Sequence, residues 1–121
     1  MNHKKLFIIE HERLIGLDLQ LQLEKNGYTV SRPLSLVDSE VIISKDKPDL
    51  IIADSAIQQQ DNFERLKKLF IRHQLPIICI GTVTNEQMKA CDGINIIGTF
   101  TKPFDSKKIA RFVDNYFDSG Q

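Results

Sequence analysis

The sequence predicts an α/β domain: a five-stranded parallel sheet wound with helices on both faces, in a (βα)5 order. Three observations predict it. Short Ile-rich runs do not alternate with polar residues, longer stretches with helical spacing separate them, and turn residues stand where one gives way to the other. The 121 residues, 41% hydrophobic and 26% charged, suit one domain over 1–121 with a core from about 4 to 117. A domain of that size buries roughly 60 to 70% of the surface its unfolded chain exposes, enough to fold without disulfides or a structural metal.

Leu6 to Ile9 forms the first strand. The next segment reads two ways. Leu17 to Leu23 alternates strictly and precedes Asn26-Gly27, as a strand entering a hairpin would. The helix prevails because no β-branched residue occurs from Leu17 to Lys25. Leu14, Leu17, Leu21 and Ile15, Leu19, Leu23 also fall at helical spacing, and Asn26-Gly27 becomes a left-handed cap. Tyr28-Thr29-Val30 is a weak second strand between Gly27 and Pro33.

Ser35-x-x-Asp38 resembles a capping box opening a helix to about Asp46, which Lys47-Pro48 stops. Leu50 to Ala53 is the third strand. Phe63, Leu66, Leu69, Phe70 and His73 share one face of a third helix. Ile77 to Ile80 is the fourth strand, and Thr84-x-x-Gln87 opens a short helix ending near Gly93. Ile94 to Phe100 is the fifth strand. Asp105 caps a final helix with the apolar stripe Ile109, Phe112, Val113 and Tyr116.

Sixteen basic residues balance sixteen acidic ones, so nothing in the overall charge argues for nucleic acid or an anionic membrane as partner. No apolar run nears the ~20 residues of a membrane helix, and the first nine residues do not read as a signal peptide. Cys79 lies in an apolar run and forms no C-x-x-C pair with Cys91, which suits a reducing, cytoplasmic setting.

Right-handed crossovers put any site at the carboxyl ends of the strands. Those ends carry Glu10-His11-Glu12, Asp54-Ser55, Gly81-Thr82 and Thr101-Lys102. The first, third and fifth strands are expected to be neighbours, so that Glu10, Asp54 and Lys102 converge. Paired carboxylates need a cation, and oxygen donors suit Mg²⁺. A lysine ammonium suits phosphate oxygens, and a carboxylate is a nucleophile toward phosphorus.

In these residues the chain resembles the receiver domain of two-component response regulators. Pro48-Asp49-Leu50-Ile51-Ile52-Ala53-Asp54 is similar to the family's third strand with its phosphoacceptor, Pro76-Ile77-Ile78-Cys79-Ile80 to its fourth, and Lys102-Pro103-Phe104-Asp105 to its lysine-proline turn. The resemblance implies a flavodoxin-like receiver fold with strand order 2-1-3-4-5. It further implies that Asp54 accepts a phosphoryl group, that Lys102 senses it, and that the bond to Pro103 is cis. Mg²⁺ would be held by Glu10, Asp54 and the Ala56 carbonyl. A histidine kinase or phosphotransfer protein would be the donor, with an output partner or second copy meeting the fourth helix, fifth strand and fifth helix.

The departures are specific. His11 stands where the family's acidic pair supplies a direct metal carboxylate, and imidazole suits Mg²⁺ poorly. Gly81 stands at the switch hydroxyl, with Thr82 beside it as a partial substitute, and Thr99 stands at the aromatic switch next to Phe100. Gln58 and Asn62 replace a proline and a glycine, and Asn62 is expected to tolerate left-handed geometry. These changes favour, as a second reading, a receiver-like interaction module that is not phosphorylated. A hydrolytic enzyme fits less well, because Ala56 stands where a D-x-D motif needs a general acid.

Overall fold

A computed structural model of the chain describes residues 4–33 and 36–119. The elements run β1 (Lys5–Ile9), α1 (Arg13–Lys25), β2 (Thr29–Ser31), α2 (Leu36–Asp46), β3 (Leu50–Asp54), α3 (Phe63–Arg72), β4 (Pro76–Ile80), α4 (Asn85–Ala90), β5 (Asn95–Phe100) and α5 (Ser106–Asp118). A turn of 3₁₀-helix over Ser55–Gln59 follows β3. All pairings are parallel and the sheet order is β2-β1-β3-β4-β5.

This order corrects one expectation. β1 and β3 are neighbours, but β4 lies between β3 and β5. Lys102 therefore reaches the other two residues from a loop beyond β5, across the end of β4.

The non-alternating strand runs divide by their period of two between two cores. Phe7, Ile9, Ile51, Ala53, Ile77 and Cys79 face Ile43 of α2 and Leu66 and Phe70 of α3. Leu6, Ile8, Leu50, Ile52, Ile78 and Ile80 face Leu19 and Leu23 of α1 and Ile109 and Val113 of α5. Both faces of each central strand are covered, which is why the Ile-rich runs carry no polar positions.

The ambiguous segment is α1. Its Leu19 and Leu23 are buried while Leu14, Leu17 and Leu21 face outward, so the strict alternation follows from leucines on both sides of a helix. Asn26 is the C-cap with φ −87°, and it is Gly27, at φ 93°, that takes the positive φ. The box between Thr84 and Gln87 closes α4 in both directions, and the Asp105 side chain accepts from the Lys107 amide at the start of α5. The Ser35 cap lies outside the described residues.

One smaller expectation fails, and a second is not called upon. His73 is an exposed C-cap and not part of the buried face of α3, because the helix ends one residue before it. Asn62 keeps φ −95°, so the loop does not need a left-handed residue there; its buried amide instead donates to Glu40 Oε2 at 3.5 Å. Among the described residues no helix is long and apolar enough to cross a membrane.

Candidate functional site: a carboxylate pair and a lysine at the strand ends

The register brings the site together. Ile9 pairs with Ala53, so Glu10 and Asp54 leave adjacent strands at the same level, and Asp54 pairs in turn with Ile80, next to Gly81. Asp54 is 3% exposed, held as the N-cap of the 3₁₀ turn with Oδ1 accepting from the Ala56 amide at 3.1 Å. Glu10 Oε1 accepts from the Glu12 amide at 3.0 Å. Lys102 enters over a cis peptide to Pro103. Its Nζ lies 3.1 Å from Glu10 Oε1 and 3.3 Å from Asp54 Oδ2. Residues 10, 54 and 102 thus form one cluster.

The two carboxylates are driven apart electrostatically. Burial pushes Glu10 above the ordinary carboxylate range, against the Glu12 amide and Lys102; hydrogen bonding to Asp54 and its charge act in the same upward direction as burial. Burial also acts upward on Asp54 but is outweighed by the Ala56 amide, the hydrogen bond from Glu10 and the Lys102 ammonium, so its net displacement is downward. Burial acts downward on Lys102, and hydrogen bonding and attraction to Glu10 and Asp54 reverse it, holding the ammonium protonated. Of the pair, Asp54 is thus displaced toward its ionised form and Glu10 toward its protonated form.

His11 joins this cluster from the exposed side. Its Nδ1 contacts Asp54 Oδ2 directly and lies 3.3 Å from Glu10 Oε1, with the side chain 62% exposed. Glu10, His11 and Asp54 each offer one donor atom, all within 4.8 Å of one another. Glu10 Oε2 is sealed from solvent and accepts no hydrogen bond, although the Lys102 ammonium is 3.0 Å away. The oxygens of Glu10 and Asp54 fit a hard cation. The imidazole nitrogen does not.

At the end of β4, Gly81 is buried with φ 107° while Thr82 is exposed. A Cβ at position 81 would start 3.3 Å from Asp54 Oδ1 and 2.8 Å from Ser55 Oγ. Thr99 is exposed, and the neighbouring Phe100 packs edge-on against Phe112 with ring centroids 5.6 Å apart. Ser55 is the residue that sequence reasoning passed over. The sequence shows a hydroxyl next to Asp54 but not that it lies against Gly81.

With the fold and the cluster established, likeness to known proteins is informative. Residues 6–114 match the response regulator receiver domain. Sporulation initiation phosphotransferase F of Bacillus subtilis is 25% identical over 118 residues, covering 96% of this chain and 95% of that protein. The alkaline phosphatase synthesis transcriptional regulatory protein PhoP of the same organism is 29% identical over 112 residues, covering 88% of this chain but 45% of that protein. The CheY-like receiver structure from Methanospirillum hungatei superposes with a TM-score of 0.83 at 18% identity, over 98% of this chain and 96% of that one.

The chain belongs to the response regulator receiver domain family. It is a receiver module of phosphorelay signalling.

Proposed function

We propose that Asp54 accepts a phosphoryl group from a phosphohistidine on a histidine kinase or phosphotransfer protein, and that the modified domain then alters its binding to a partner. The observation that carries this reading is the Lys102 ammonium held 3.1 and 3.3 Å from two carboxylates at the rim of the sheet. In the transfer a P–O bond forms to Asp54 as the P–N bond breaks, and the departing imidazole keeps the bonding electron pair. Lys102 is already placed to follow a phosphoryl oxygen as charge moves outward from Asp54. Glu10, Asp54 and the Ala56 carbonyl are the donors for a divalent cation, Mg²⁺ in this reading, and such a cation supplies neutralisation of phosphoryl charge.

Coverage of nearly the whole of a protein named a phosphotransferase supports a relay role in the cytoplasm in which this domain passes the group on and catalyses no other reaction. The face formed by α4, β5 and α5 is the proposed surface for an output partner or a second copy. The contact of His11 Nδ1 on Asp54 Oδ2 favours the alternative, an interaction module that is never phosphorylated. Intact-mass measurement after incubation with a small acyl phosphate and Mg²⁺ separates the two. One added phosphoryl group, lost in Asp54→Asn, supports acceptance; an unchanged mass, or equal labelling of the variant, rejects it.

A further inference from the structure

We propose that the Ser55 hydroxyl supplies the hydrogen bond to the phosphoryl group that position 81, a glycine, cannot supply; the inference rests on Asp54 being the acceptor. A side chain at position 81 would begin 3.3 Å from Asp54 Oδ1, the place from which a hydroxyl at the end of β4 would reach a group on that carboxylate. Ser55 Oγ stands 2.8 Å from the same point, closer than a real Cβ there would tolerate. The space vacated by the missing side chain is thus taken by another hydroxyl, from the neighbouring strand's end.

Local structure fixes this arrangement. Asp54 pairs with Ile80, which places Ser55 and Gly81 side by side just past the ends of β3 and β4. The Gly81 amide donates to the Phe100 carbonyl at 2.8 Å, tying that backbone to β5 at φ 107°. Ser55 starts the 3₁₀ turn and is half-buried, not sealed in the core. Its rotor needs no backbone motion to turn toward a phosphoryl oxygen, and a hydroxyl donor to an anionic acceptor forms one of the stronger classes of hydrogen bond. Thr82, the nearer substitute in sequence, is exposed. Ser55 then touches the phosphoryl group directly, through a bond that exists only once phosphorus is present.

The test compares Ser55→Ala, Ser55→Thr and Ser55→Val for the rate of labelling by a small acyl phosphate, read by intact mass, with thermal unfolding of each variant alongside. Losing one hydrogen bond to a charged group predicts labelling about tenfold slower or more in the Ala and Val variants. Thr keeps the hydroxyl and stays near the wild-type rate, whereas Val, of the same shape, does not. A merely structural role would affect Thr and Val alike. Wild-type rates in the Ala and Val variants, Thr as slow as Val, or a loss confined to Thr82→Val overturns the inference while acceptance by Asp54 stands. Absence of labelling in the wild-type protein overturns both.

Discussion

Restoring a side chain at position 81 should destabilise the domain. In Gly81→Ala the new Cβ meets Ser55 Oγ at 2.8 Å on a backbone at φ 107°, a conformation that L-residues rarely adopt. The backbone has little freedom to relax, because the Gly81 amide is bound to Phe100 and the residue is buried beside Asp54. Backbone strain of this kind costs about 1 to 3 kcal/mol, and rotating the serine away adds a fraction of that. A total of about 2 kcal/mol corresponds to a fall in Tm of roughly 8 °C for a domain of this length. Urea unfolding gives the number directly. Ser55→Ala removes the oxygen but not the strain, so Gly81→Ala should cost about 0.5 to 1 kcal/mol less in that background. A variant as stable as wild type, or a cost independent of Ser55, would refute this geometry.

Other outcomes follow from the same cluster. His11→Asp replaces the imidazole with an oxygen donor, so Mg²⁺ affinity should rise by about tenfold or more in calorimetric titration; an unchanged affinity would remove His11 from the account of the metal. Glu10 is displaced upward by burial, so its folded form holds a proton longer than its unfolded form, and the cost of ionising it enters as pH rises above 4.5. Glu10→Gln should therefore gain stability relative to wild type between pH 4.5 and neutrality in urea unfolding, with the gap closing in acid; a gap that widens in acid contradicts the assignment. Burial, reinforced by Cys91, pushes the Cys79 thiol up to about 11, so iodoacetamide at neutral pH should label it only after unfolding; rapid labelling of the native protein contradicts its placement.

The fold was legible because its main signals are local or periodic. Ile-rich runs without polar positions marked strands covered on both faces, and the Thr84, Gln87 and Asp105 caps marked helix starts by residue type alone. Leu17 to Leu23 shows the limit of periodicity, since its four leucines, two outward and two inward, satisfy both periods. Residue propensity, with no β-branched side chain from Leu17 to Lys25, favours the helix that the structure shows. His73 was misplaced because a periodic stripe does not announce its last turn.

The site was legible in its acid and base members and not in their surroundings. Glu10, Asp54 and Lys102 each follow an apolar strand, so topology alone placed them on one rim. That β4 lies between β3 and β5 does not change the outcome, because Lys102 spans the gap with its own length. Ser55 was not legible, because its relation to Gly81 is a distance between two strand ends and leaves no mark in the order of residues. Nor does sequence show that His11 turns inward onto Asp54.

Borohydride reduction after treatment with an acyl phosphate converts an aspartyl phosphate to homoserine and marks its position for peptide mass spectrometry. The account predicts homoserine at residue 54 alone, dependent on a divalent cation and on Lys102. Homoserine at another carboxylate, or none in a folded protein, would contradict it.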